Sequence, residues 1–222
     1  MAVIGSALNI GVVLDVVCPW CFVGKRRLEK AIALARQKWT GLSVSIEYMP
    51  YQLSPEMGRG LDKLEHYQSK FGSRAAAMHA RVTEAGAEDG IRFSFGGKLS
   101  NTLDAHRLIH YARLQGGSAA ESSVVESLLH RYFELEQDIG DTDTLLAAAA
   151  DAGLDSPVVA EYLQSTDGIQ AVKTKIAAVA KLGINGVPFY IINNRFGVSG
   201  AESPEALVDA FEKALQDQTG CT

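Results

Sequence analysis

Leu8-Asn9-Ile10-Gly11-Val12-Val13-Leu14-Asp15-Val16-Val17-Cys18-Pro19-Trp20-Cys21 runs from an apolar segment straight into a pair of cysteines. Leu8 to Val17 is rich in Val, Ile and Leu without alternation, the pattern of a strand covered on both faces. Gly24 to Trp39 follows with helical spacing. Leu28, Ile32, Ala35 and Trp39 form the apolar stripe, Lys25, Arg26, Glu29, Lys30 and Arg36 fall elsewhere, and Gly41 ends it. The cysteines therefore stand at a strand-to-helix junction. Residues three apart in a helical turn lie within the Cα separation of roughly 4.4 to 6.8 Å that a disulfide needs. Cys18 is expected at the helix N-terminus, where unpaired N–H groups favour an anion and thiols can have a pKa of roughly 3.5 to 7.5. Pro19 suits the first helical position because it has no N–H to satisfy. Cys21, one turn further in, is expected to be the shielded resolving thiol.

Working outward, Ser43 to Met49 alternates as a second strand and turns at Pro50. From about Leu61 to Leu182 the signals are helical. One helix is expected from Thr102 to Gln115 behind an Asn101 cap, stopped by Gly116 and Gly117. Asp141 or Asp143 caps the next, which stops at Gly153; Ser156-Pro157 opens another, and a last one runs from about Asp167 to Leu182. Phe189 to Ile192 and Arg195 to Val198 flank Asn193-Asn194, residues that tolerate the positive φ of a tight hairpin. Ser203-Pro204 then begins a closing helix from Glu205 to Gln216. The order is β-α-β, a large all-helical insertion, and β-β-α, an α/β architecture. The first strand and the hairpin must share one sheet, since neither half has enough strands to cover its own apolar faces.

The chain has 222 residues, 47% hydrophobic and 21% charged, enough to bury a proper core. Its formal charge of −5 opposes binding to polyanions, so nucleic acid is not an expected partner. Met1 to Asp15 lacks the basic front of a signal peptide, and the apolar runs are broken by Asp15 and Asp151, short of the roughly 20 residues that span a bilayer. A cytoplasmic protein without a membrane role is expected. Three cysteines cannot make a secreted disulfide framework. The pair Cys18 and Cys21 can be redox-active, half of a zinc site, or merely packed. Zinc needs two more ligands, yet Cys221 sits in a polar tail and His106 with His110 make only a lone pair, so redox chemistry is favoured and no metal is expected.

The chain resembles the DsbA-like thioredoxin-fold oxidoreductases, in particular their intracellular FrnE-type branch. The resemblance rests on Asp15 ahead of Cys18-Pro19-Trp20-Cys21, Gly24-Lys25-Arg26-Arg27-Leu28-Glu29, Met49-Pro50-Tyr51, Asn101 to Ala112 with Ala105-His106-Arg107-Leu108, Gly183 to Phe189, and Val198-Ser199-Gly200-Ala201. It implies a thioredoxin-like domain made of residues 8–56 and 183–217, an inserted helical domain over 57–182, and a flexible tail at 218–222. It also implies a thiol–disulfide oxidoreductase in which Cys18 forms a mixed disulfide and Cys21 resolves it. Pro188 is implied as a cis-proline exposing the Val187 backbone beside Cys18.

Asn101 and His106 join Val187 and Pro188 as substrate-binding candidates, with a boundary position as the alternative for His106. Pro19, Trp20 and Asp15 tune the dithiol; Asp15 can carry protons there or simply cap the strand end. The usual buried acid six residues before the first cysteine is absent, since that position is Val12. Lys25, Arg26 and Arg27 are expected on a solvated helix face, and Cys221 in a dispensable end. No tightly bound cofactor is implied beyond the Cys18–Cys21 disulfide, and glutathione is a candidate co-substrate. The implied partners are protein thiols or disulfides, glutathione or a small molecule, acting on a monomer or homodimer.

The related kappa-type glutathione transferases and 2-hydroxychromene-2-carboxylate isomerases supply a rival, a glutathione-dependent transferase or isomerase of a small molecule. Gly200, Ala201 and Glu202 would then hold the γ-glutamyl group. Those enzymes carry serine where this chain has Cys18. A third class is a binding domain that uses an apolar groove around Trp20 and Phe22.

Overall fold

A computed structural model describes residues 7–219. Strand β1 (Ala7–Leu14) leads through a short turn into α1 (Pro19–Lys38), which is followed by β2 (Ser43–Pro50). β1 pairs parallel with β2 and antiparallel with β5 (Phe189–Ile192), which pairs antiparallel with β6 (Phe196–Ser199), so the sheet order is β2-β1-β5-β6. The hairpin thus shares its sheet with β1, as the shortage of strands in each half requires. Only the end of β1 is covered on both faces, from Val12 to Leu14; its start alternates, with Asn9 exposed. Leu8, Ile10, Val12 and Leu14 join Tyr190 and Ile192 in the main core with Leu28 and Ile32 of α1 and Leu207 and Phe211 of α8 (Pro204–Thr219). Val13 faces the other side, packed with Val179 and Ile184.

Asn193 and Asn194 have φ of 51° and 57°, and the Asn193 side chain accepts a bond from the Asn9 N–H at 2.9 Å. The turn is thereby anchored to β1. The Ser203 hydroxyl caps α8 by accepting from the Ala206 N–H at 3.2 Å.

The insertion contains α2 (Lys63–Phe71), α3 (Arg74–Glu88), α4 (Leu103–Phe133), α5 (Thr142–Asp151), α6 (Ser156–Gln164) and α7 (Ile169–Lys181). The chain departs from the expected organisation in four places. Two short strands, β3 (Leu61–Asp62) and β4 (Lys98–Leu99), pair antiparallel within the insertion; two-residue ladders carry no periodic signal. α6 is capped by the Asp155 carboxylate accepting from the Val158 N–H, one residue before the expected Ser156. At the C-terminus, α8 continues to Thr219, so residues 218–219 are helical and the tail at 218–222 was placed too early; no helix breaker precedes Gly220. Cys221 lies outside the described residues.

The largest departure is α4. Gly117 was expected to end this helix, and it does leave helical geometry (φ 65°, ψ −154°), but the chain resumes the helix to Phe133. Two donors fix the break against the edge strand: the Ser118 hydroxyl and the Arg113 guanidinium both bond the Ile46 carbonyl, at 2.9 and 2.6 Å. The second half then buries Val124, Val125, Leu128, Leu129, Tyr132 and Phe133.

Arg113 also reaches Glu121 at 3.1 Å, a carboxyl pushed up to about 7 by burial, with the Arg113 guanidinium pulling the other way. Because the folded value lies above the unfolded one, nothing is lost below about pH 4 and the cost of the buried charge grows as pH rises through 7. Glu121→Gln is therefore expected to raise the unfolding free energy at pH 8 by up to ~3 kcal/mol and to change little near pH 4.5. Urea midpoints at the two pH values check this, and equal shifts at both would discard it.

Candidate active site

Cys18 is the N-cap of α1, with extended backbone (φ −92°, ψ 115°), and Pro19 occupies the first helical turn. The Cys18 N–H donates to the Asp15 carbonyl and the Cys21 N–H to the Cys18 carbonyl, each at 3.0 Å, which winds the dithiol onto the helix end. Both thiols are free and buried. The Cys18 thiol donates to the Val187 carbonyl at 3.5 Å, and the Val187–Pro188 peptide bond is cis. Burial pushes the Cys21 thiol well up, and the Cys18 sulfur beside it adds to the effect. The inner thiol therefore keeps its proton.

Gly24, one turn beyond Cys21, lets α1 lie directly on the proline loop. A Cβ there would stand 2.4 Å from the Tyr190 hydroxyl and 2.9 Å from Pro188 Cγ. Gly24→Ala is expected to cost about 1 to 3 kcal/mol of stability and to slow disulfide exchange, because the displaced neighbours include Pro188. Paired urea and exchange-rate measurements test this; a variant with unchanged exchange would separate Gly24 from the site.

Asp15 is neither solvated nor a cap. It is fully buried; its Oδ2 accepts the Leu53 N–H at 2.8 Å, while Oδ1 has no hydrogen-bond partner among the described residues. His106 lies behind it, with Nε2 3.4 Å from that free oxygen and bonded to the Tyr51 carbonyl at 2.9 Å. Since a carbonyl only accepts, Nε2 carries the proton. His106 is thus a buried partner of Asp15, not a cleft or boundary residue, because α4 turns it beneath the Tyr51 loop. Asn101 is also structural in its contacts. It accepts from the Leu103 N–H and the Gln52 amide and donates to the Pro55 carbonyl, tying that loop to the start of α4.

Beside Cys18 lies a cavity of about 360 Å³. Asp15, Cys18 and Trp20 border it from the dithiol side, and Tyr67, Phe71 and Met78 from the insertion. Phe95 stacks on the His79 ring at 3.9 Å, and Arg81 lies 5.5 Å from the centre of the Trp20 ring. Sequence inspection missed Tyr67, Phe95 and Arg81, since no local motif links α2 and α3 to Cys18. Their one shared signal is a concentration of aromatic and basic residues between His66 and Phe95.

The Gly200 N–H is taken by the Pro188 carbonyl at 2.9 Å, and the Ala201 carbonyl accepts from Arg27 at 2.8 Å; Glu202 is exposed. Nor do the three basic residues after the dithiol form a solvated face. Lys25 is 2% exposed and paired with Glu29 and Glu126, Arg26 pairs with Glu126, and Arg27 pairs with Asp89. Phe22 is fully buried between Phe93 and Phe133, so an apolar groove around it does not form. Among the described residues, no group of three or more His, Cys, Asp or Glu is placed to hold a metal, and no helix is long and apolar enough to cross a membrane.

Residues 9–212 match the model of the DSBA-like thioredoxin domain. The chain belongs to that family. This DSBA-like chain is 30% identical over 214 residues to an uncharacterized protein of Bacillus subtilis (strain 168), YwbO, covering 95% of one and 97% of the other. A probable DsbA oxidoreductase from Streptomyces coelicolor superposes with a TM-score of 0.83 at 27% identity, over 93% of this chain and 89% of that one. The cytosolic disulfide reductase DsbM from Pseudomonas aeruginosa, solved with GSH, gives 0.63 at 16% identity over 94% and 99%, a likeness of fold. The DSBA-like fold accounts for the mixed four-stranded sheet and its helical insertion.

Proposed function

We propose that this DSBA-like protein is a thiol–disulfide oxidoreductase working through Cys18 and Cys21. The observation that carries the proposal is the placement of the Cys18 sulfur at a helix N-terminus against the Val187 carbonyl, with a buried, protonated second thiol one turn behind it. In the reducing direction, the Cys18 thiolate attacks a substrate disulfide. A Cys18–substrate bond forms, the substrate disulfide breaks, and one substrate thiolate leaves. Cys21 then loses its proton and attacks the Cys18 sulfur, which closes the internal disulfide and frees the second substrate thiol. Two electrons pass from the dithiol to the substrate, and the reverse sequence oxidises a dithiol.

Asp15 receives the Cys21 proton, because it is the acid of the cavity and its Oδ1 accepts no hydrogen bond among the described residues. Val187 and Pro188 hold the substrate sulfur beside Cys18. Trp20 shapes the entrance and Pro19 leaves the helix end without a competing donor. Two equivalents of a low-molecular-weight thiol such as glutathione return the enzyme to its dithiol form. A cytoplasmic setting belongs to the same proposal, and no tightly bound cofactor is required.

The rival, a glutathione-dependent transferase or isomerase, draws support from the cavity. Against it stand Cys18 in place of serine and the commitment of the Gly200 N–H to Pro188. Cys21→Ser separates the two. As an oxidoreductase, this variant accumulates a mixed disulfide at Cys18, seen as an added substrate mass that dithiothreitol removes. Full turnover of a small molecule with glutathione by the variant would favour the rival.

A further inference from the structure

We infer that the disulfide exchanged at Cys18 belongs to a small molecule with an aromatic body and a carboxylate, held in the cavity between the dithiol and helices α2 and α3. The inference rests on the oxidoreductase reading and specifies its substrate. Three features of the cavity point the same way. Its volume, about 360 Å³, equals that of about a dozen waters at roughly 30 Å³ each and lies in the range of small-ligand sites, roughly 300 to 1,000 Å³. Helices α2 and α3 border it opposite the dithiol, so Cys18 faces a pocket of molecular size there.

The lining is also aromatic: Phe95 lies flat on His79, and Tyr67 meets His79 edge-on at 5.1 Å and stacks with Phe71 at 6.0 Å. Ring faces and edges set at these angles select a ring over an aliphatic chain. Finally, the charge is local and positive. Lys70 and Arg81 are exposed lining residues, while Asp15, buried beside Cys18, is the one carboxylate among the described lining residues. A protein of net charge −5 thus presents two exposed basic side chains at the mouth of this cavity. An anion is drawn to that mouth with its ring on the aromatic wall and its sulfur toward Cys18.

In the step itself, the Cys18 thiolate bonds to one sulfur of the disulfide and expels an aromatic thiolate. Cys21 then yields its proton and expels the second, giving the Cys18–Cys21 disulfide and two aromatic thiols for two electrons. Two equivalents of a low-molecular-weight thiol restore the dithiol.

The test uses the reduced full-length protein in single-turnover stopped flow. Its probes are 5,5′-dithiobis(2-nitrobenzoate), which is aromatic and anionic; 4,4′-dithiodipyridine, aromatic and neutral; glutathione disulfide, anionic and aliphatic; and insulin. Each rate is divided by that of the same probe with dithiothreitol at the same pH, which removes intrinsic reactivity. The nitrobenzoate disulfide is expected to exceed each of the others by about tenfold or more, equivalent to ~1.4 kcal/mol of added recognition. Lys70→Gln/Arg81→Gln is expected to lower its rate about fivefold and to flatten its salt dependence, while the dithiodipyridine rate changes less than twofold.

A second measurement does not depend on exchange. In a Cys18→Ala/Trp39→Phe protein, 4-nitrobenzoate is expected to quench Trp20 fluorescence at concentrations where neutral nitrobenzene does not. Equal normalised rates for the aromatic probes, a faster glutathione disulfide, a faster insulin, or quenching by both nitro compounds alike would each overturn the substrate class and leave the oxidoreductase standing. If no probe reacts faster with the protein than with dithiothreitol, the oxidoreductase reading itself falls, and this inference with it.

Discussion

Replacing Cys18 with serine is expected to lower the rate of disulfide exchange by roughly three orders of magnitude or more, the loss typical of removing a catalytic nucleophile. A hydroxyl is far harder to ionise than a thiol, and an Oγ–S bond offers no exchange path. The fold should tolerate the change, since the long bond from Cys18 Sγ to the Val187 carbonyl is one that a hydroxyl can also make. Unfolding midpoints should therefore stay close to the parent while exchange is lost. Cys21→Ser should differ in kind, allowing the first attack and stopping at the mixed disulfide. Rates with insulin or a small disulfide, read together with intact-protein mass, distinguish these outcomes. Parental exchange in Cys18→Ser would refute the role given to this residue.

The second large effect concerns stability. Arg107 of α4 is 2% exposed, and its guanidinium donates to the carbonyls of Asp167, Leu163, Tyr162 and Ser165 and to the Asp104 carboxylate, at 2.7 to 3.1 Å. These carbonyls come from the last turn of α6 and the bend into α7, groups that a helix end leaves without partners. One planar fork therefore closes a helix, shapes a loop and joins both to α4.

Arg107→Ala strands several buried acceptors and is expected to reduce the unfolding free energy by about 3 to 5 kcal/mol. Arg107→Lys should recover little, because a single ammonium cannot reproduce the fork. Urea denaturation of both variants provides the check. A loss below about 1 kcal/mol for alanine would mean the carbonyls find other partners.

The thioredoxin-like frame was legible because its signals are local: an apolar run before Cys18, a proline at the first helical turn, the Asn193-Asn194 turn, and a serine cap before Pro204. The dithiol was legible for the same reason. Contacts between segments distant in the chain were not. Nothing near Gly117 reveals that Ile46, 71 residues earlier, accepts the bonds that let α4 bend and continue. Likewise, Asp15 reads as a strand-end acid until Leu53 and His106 are brought around it. The cavity was the least legible feature, because its walls come from α1, α2, α3 and the loop carrying Phe95, and no short motif spans them.

The absent side chain at position 24 has a mechanical consequence. With the α1 backbone lying against the Pro188 ring and the Tyr190 hydroxyl there, the helix that carries the sulfurs is seated directly on the loop that carries the Val187 carbonyl. The hollow above it is walled by α2 and α3 instead, so the width of the entrance and the chemistry at the sulfurs can be altered separately by substitution.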